Sequence, residues 1–188
     1  LQGRENMRHI CTSIVATLVL AGTSLAATIN VPADYTTIQL AFDAASSGDE
    51  ILVAPGTYTS SSYAVVEMTG KSVFLRSSGG PDVTTIDCQS SGPGIRLYTT
   101  STSGTKIHGF TIRNGMTGTQ GGAISSYAYN VEIEDCVFLN NQAAYGGGVS
   151  LSGGTVTNCE FKNNFARHPN GTFSWGGAMI VYGQGNIT

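Results

Sequence analysis

The stretch VEIEDCVFLNN (131–141) returns, changed but recognisable, as GTVTNCEFKNN (154–164). An earlier copy, KIHGFTIRN (106–114), lies in front of both, so that Ile107, Ile133 and Val156 align. The same alignment superposes Phe110, Cys136 and Cys159, then Ile112, Phe138 and Phe161, and finally Asn114, Asn140 and Asn163. Glycine clusters punctuate the copies: GGAI (121–124), GGGV (146–149) and GGAM (176–179). Self-similarity of this period, with glycine turns and no helix inside, is the mark of a β-solenoid, whose coils bury their apolar side chains only against one another. The leucine frame of leucine-rich repeats is missing, and the period is too short for the four strands of a propeller blade.

Coils stacked about 4.8 Å apart pair strand on strand along one axis, so like residues fall over like. Ile107, Ile133 and Val156 are therefore expected in one line inside the molecule. Asn114, Asn140 and Asn163 fall at a turn, where asparagine tolerates left-handed backbone and side-chain amides can form a ladder. The runs EILVA (50–54), SVFLR (72–76), TTIDC (84–88) and GIRLY (94–98) read as earlier rungs. A single helix is predicted over 36–48. Thr36 and Gln39 have capping-box spacing, while Ile38, Ala41, Phe42 and Ala45 form one apolar stripe. Such a helix suits the N-terminal end of the stack, where backbone groups and an apolar cross-section lack a neighbouring coil. After GGAM no helix, charged strand or proline closes the other end, so 27–188 reads as the N-terminal part of a longer solenoid.

Leu1–Asn6 reads as a leader upstream of Met7, and 7–26 as a signal peptide. Arg8 and His9 precede the apolar run ICTSIVATLVLAG, and Ser24-Leu25-Ala26 fits the small-residue cleavage rule. The run is shorter and richer in threonine than the roughly 20 apolar residues of a membrane span. Export leaves Cys88, Cys136 and Cys159, an odd number, so at least one stays free or pairs elsewhere. Cys136 and Cys159 belong to adjacent coils, about 5 Å apart, which is within disulfide range. Their parallel Cβ vectors favour two free thiols instead. A net charge of −3 with 11% charged residues argues against nucleic acid, which needs a basic stripe. The even spread of apolar residues argues against disorder.

The segment INVPADYTTIQLAFDAASSGDEILVAPGTY (29–58) resembles the entry segment of the pectin-lyase-like superfamily. The GGAI/GGGV/GGAM clusters with FLNN and FKNN resemble the repeats of the chlamydial polymorphic outer-membrane proteins. The first resemblance implies an all-β, right-handed parallel β-helix with an N-terminal capping helix. The second implies a surface-exposed passenger with a role in adhesion, reaching a membrane only through a C-terminal anchor that the chain does not contain.

A polysaccharide lyase of this fold needs acidic residues converging on Ca²⁺ and a base to take a sugar proton. The best acidic group is Glu132, Glu134 and Asp135, but their aligned neighbours (His108 and Thr157, Gly109 and Asn158) add too few oxygens. No catalytic residue, metal ligand or cofactor is assigned. Arg113 and Lys162 occupy aligned outward positions, either as a shallow basic strip for an acidic glycan or as charges that keep an edge soluble. His168 lies in the loop ARHPNGTFSW (166–175), a longer connection than its counterparts, where solenoids often carry binding function. Phe173, Trp175 and Tyr182 nearby would stack on sugar rings, or equally would pack the turn. The resulting expectation is a secreted or cell-surface β-helix, non-catalytic in this segment, that presents loops for adhesion or for a polysaccharide or cell-surface glycan. The alternatives are a polysaccharide-degrading enzyme whose active-site coils lie further on, and a structural spacer.

Overall fold

The computed structural model describes residues 25–98, 104–168, 171, 174–183 and 185–187. The expected leader and nearly all of the expected signal peptide, with Cys11, fall outside them. Strand β1 (Thr28–Val31) leads into helix α1 (Ile38–Ala44). One coil is then made by β2 (Glu50–Val53), β3 (Gly56–Tyr58) and β4 (Val66–Met68). The next comprises β5 (Phe74–Ser77), β6 (Thr84–Asp87) and β7 (Ile95–Leu97). It is followed by β8 (Lys106–His108), β9 (Thr111–Arg113) and β10 (Ile124–Ser126). A fourth coil has β11 (Val131–Glu134), β12 (Val137–Leu139), β13 (Gln142–Ala143) and β14 (Val149–Leu151). The fifth has β15 (Gly154–Thr157), β16 (Glu160–Lys162), β17 (Phe165–Ala166) and β18 (Met179–Val181), and β19 (Gly185–Ile187) comes last.

Every named strand pair is parallel, and the pairs assemble into a seven-stranded sheet, two five-stranded sheets and a two-stranded one. The chain is a parallel β-helix. In the seven-stranded sheet one column runs Ile29, Ile51, Leu75, Ile107, Ile133, Val156, Ile187. The repeat register read from the sequence is therefore real, and it extends over coils that share no obvious phrase. Burying each of the inner members, from Ile51 to Val156, contributes about 1.5–3 kcal/mol. A second column runs Tyr58, Ile86, Ile112, Phe138, Phe161, with the last two rings 4.9 Å apart.

The two asparagines that end FLNN and FKNN have separate tasks. Asn114, Asn140 and Asn163 are left-handed (φ 58°, 56° and 53°) and turn the chain, as expected. The amide ladder belongs to the residue after them. Asn141 Nδ2 donates to Asn164 Oδ1 (3.0 Å) and to the Ile112 carbonyl (3.0 Å), while its Oδ1 accepts from the Gly115 N–H (2.8 Å). The second position faces inward, where a polar side chain must be fully paired; the first faces the turn.

The helix begins one residue later than the spacing suggests. Thr37, not Thr36, is the N-cap, its Oγ1 accepting from the Leu40 N–H (3.1 Å). Gln39 is then too early for a capping box and instead bridges to the first coil, exchanging hydrogen bonds with the Glu67 backbone (2.7 and 3.2 Å). Ile38, Ala41, Phe42 and Ala45 are buried as the stripe requires. Lys71 Nζ closes the far end of the helix on the carbonyls of Phe42, Asp43 and Ala45 (2.6, 2.7 and 2.9 Å).

Candidate functional site

Strands β7, β10, β14 and β18 of one five-stranded sheet are followed, in register, by Tyr98, Tyr127, Ser152 and Tyr182. Parallel stacking holds the column: the Tyr127 N–H donates to the Leu97 carbonyl and the Tyr182 N–H to the Leu151 carbonyl, both at 2.9 Å. The loops ahead of the glycine clusters form a second column, Gln120, Tyr145, Trp175, joined by isolated parallel bridges. These loops lie against the outward face of the same sheet, so the outward Ser125 and Ser150 are buried and Ser150 Oγ donates to Gln120 Oε1 (3.4 Å). Such close approach needs glycine at Gly146. Its φ is 61°, and a Cβ there would sit 2.3 Å from the Val149 carbonyl oxygen.

The two columns meet in one aromatic face. Tyr145 presents its ring edge-on to His168 (centroids 6.3 Å apart) and to Trp175 (6.4 Å). Burial pushes the Tyr182 hydroxyl above its ordinary range, with Tyr145 and Tyr127 close enough to add to the shift. Trp175 is 64% exposed and Tyr182 52%. Toward the N-terminus the face continues through Arg96, whose guanidinium lies 4.7 Å from the Tyr98 ring centre and 5.6 Å from that of Tyr63. Flat rings with one wet side and a polar rim suit sugar faces, which are themselves apolar on the C–H side and polar at the edge.

His168, Trp175 and Tyr182 are thus brought together, and Phe173 lies outside the described residues. Sequence reasoning missed Tyr98, Tyr127 and Tyr145. The signal for two of them was present: IRLY, ISSY and MIVY end three aligned strands in tyrosine. Arg113 and Lys162 do fall in one outward column with Leu139 between them, but each is matched by a carboxylate. Arg113 Nε sits 2.9 Å from Asp87 Oδ2, and Lys162 Nζ 2.8 Å from Glu160 Oε1. As a strip for an anionic chain they are already neutralised.

Elsewhere, an open cleft of about 560 Å³ is lined by Pro81, His108, Asp135, Cys136, Asn158, Cys159 and Glu160, among others. Asp135 and Asn158 are left-handed turn residues stacked over Gly109. Asp135 accepts from Asn158 Nδ2 and lies 2.8 Å from His108 Nε2. The Asn158 amide, then His108, hold its carboxyl below the usual carboxylate range. His108 Nδ1 is buried without a partner. Glu132, another carboxylate of the same acidic group, pairs with Lys106 (2.6 Å). Among the described residues no three His, Cys, Asp or Glu side chains converge as a metal site would require.

The sequence model of one family, described as the right handed beta helix region, matches residues 45–188. No curated protein and no solved structure matches the chain.

Proposed function

The chain belongs to the right-handed β-helix family, and from that premise we propose that it is a secreted or cell-surface protein that binds a neutral polysaccharide. The aromatic face of Tyr127, Tyr145, Trp175 and Tyr182 is the contact surface, with His168 bracing Tyr145. The observation that carries this reading is the exposure of Trp175 and Tyr182 at the meeting of two stacked columns. A turn-packing role would bury those rings. Neutral sugars are favoured over acidic ones because Arg96, the cation bordering the face, has Glu67 4.0 Å away, and Arg113 and Lys162 on the other sheet are ion-paired as well. The likeness of the glycine clusters to adhesive surface repeats, and of residues 29–58 to the pectin-lyase-like superfamily, supports export and carbohydrate contact.

Trp175 is the sole tryptophan of the sequence, so its fluorescence reports the proposed contact directly. Titration with neutral plant, fungal and bacterial polysaccharides is expected to shift its emission to the blue with at least one of them. Trp175→Ala or Tyr182→Ala should weaken binding about tenfold, the loss of one stacked ring (about 1.4 kcal/mol). Binding that survives both substitutions, or an emission indifferent to every glycan, overturns the proposal.

A second reading, an enzyme that degrades polysaccharide, draws on the His108–Asp135 pair in its open cleft. It predicts unsaturated or reducing-end products from polygalacturonate with Ca²⁺. The first reading predicts none.

A further inference from the structure

Cys136 and Cys159 occupy the same position of adjacent coils, immediately after the left-handed residues Asp135 and Asn158. In-register parallel residues have Cα atoms about 4.8 Å apart, inside the range of roughly 4.4–6.8 Å that a disulfide spans. Both are free thiols, as the parallel Cβ vectors of stacked coils favour, so a bridge between them needs a reagent and a small shift of the Cβ directions. The Cys136 N–H already donates to Cys159 Sγ (3.4 Å). Their surroundings differ. Both line the open cleft of His108 and Asp135, but Cys136 is buried above Phe110 at the bottom of it, whereas Cys159 is half-buried and partly open to solvent.

We infer that Cys136 and Cys159 form a dithiol site that is oxidised to an intramolecular disulfide by exchange with a small-molecule disulfide. Cys159 is the attacking sulfur, because it is the one a reagent in the cleft can reach. Its thiolate attacks one sulfur of the reagent R–S–S–R, forming a mixed disulfide and releasing RS⁻. Cys136 then loses its proton to solvent and attacks Cys159 Sγ, expelling the second RS⁻. The balance is protein dithiol plus R–S–S–R giving protein disulfide plus two R–SH. The order agrees with the local chemistry. Hydrogen bonds from the Cys136 thiol and N–H hold the Cys159 thiol below its ordinary range, while that same thiol contact and burial push Cys136 well above it. Cys88, buried, with its thiol pushed up to about 12, takes no part.

The test uses the reduced chain, oxidised glutathione as the reagent, and quenching with an alkylating agent. The expected product is lighter by two hydrogen atoms, carries no glutathione, and keeps the two halves joined after chymotryptic cleavage between them at Phe138. Cys136→Ser should stop at a stable glutathione adduct on Cys159, and Cys159→Ser should leave Cys136 unreacted. In unmodified reduced protein, Cys159 should alkylate at least tenfold faster than Cys136 or Cys88. A persistent glutathione adduct on the parent protein overturns the inference. So does recovery of both thiols in alkylated form, or labelling of Cys88 or Cys136 as fast as Cys159.

Discussion

The two ends of the stack are built from the same kind of coil and end in opposite states. At the N-terminal end, helix α1 lies across β1, β2 and β4 and buries Ile38, Ala41, Phe42 and Ala45. Asp49 ties it down by accepting from the Ala27 and Ser46 N–H groups (2.8 and 2.7 Å). At the C-terminal end β19 is exposed throughout and β18 only half-buried. Along a single column, Ile51, Leu75 and Ile107 are 0% exposed, while Ile187 is 63% exposed. Nothing about isoleucine changed between them. A solenoid residue is a core residue only when a coil or a cap lies on both sides of it.

Substitutions at matched positions should break that contrast open. The largest effect is expected for the paired phenylalanines. Phe138→Ala, between two coils, should cost about 3–5 kcal/mol, the cost of deleting a fully enclosed aromatic side chain. Phe161→Ala, half-buried in the fifth coil, should cost less than half of that in this chain, read as the shift in urea midpoint. The inward asparagines come next. Asn141→Ala takes the side-chain partner from the Gly115 N–H and the Ile112 carbonyl, while Asn164 Oδ1 keeps only the Asn141 backbone N–H. It should destabilise by about 2–3 kcal/mol, and Asn164→Ala by clearly less. Lys71→Met removes three hydrogen bonds from the carbonyl end of α1, together with the ammonium that lies 4.8 Å from the Phe42 ring centre. A loss of about 1–2 kcal/mol is expected, appearing as faster hydrogen exchange in 27–53 and leaving 142–166 unchanged.

Acid should produce the smallest effect, and should act on the capped end. The Ala27 and Ser46 N–H groups hold the Asp49 carboxyl below its ordinary range, and Arg76 does the same for Glu50. Their folded pKa values lie below the unfolded ones, so this stabilisation is complete above the unfolded values near 4 and is lost as pH falls through the folded ones. Exchange protection of 27–53 should therefore decline below about pH 4, and Asp49→Asn should remove most of that decline.

The coil register was legible because the selecting force is local and repetitive. Ile107, Ile133 and Val156 sit in strands whose alternation sends them inward, and copying the phrase copies the environment. The left-handed asparagines were legible for the same reason. The amide ladder of Asn141 and Asn164 was not distinguished from them, since adjacent asparagines look alike until one faces the interior. The N-cap was missed by one residue because two threonines stand in a row, and the choice between them depends on Gln39 reaching the Glu67 backbone.

The aromatic face was only half legible. Tyr98, Tyr127 and Tyr182 repeat at fixed positions, yet Tyr145 and Trp175 lie in loops of unequal length, and alignment has no purchase there. The Cys159 asymmetry was equally hidden: the two cysteines align, and the sequence cannot say which one is the more exposed in the cleft they share.

By itself, then, the amino-acid order determined the coil, its inward columns and its turns, since those depend on residues close in sequence and on a neighbour of the same kind. The stacking alone decided which rings share a surface, which basic residues find carboxylates and which thiol meets solvent. Apart from the Lys162–Glu160 pair within β16, those outcomes depend on distances between residues a coil or more apart, and such distances exist only once the coils are stacked.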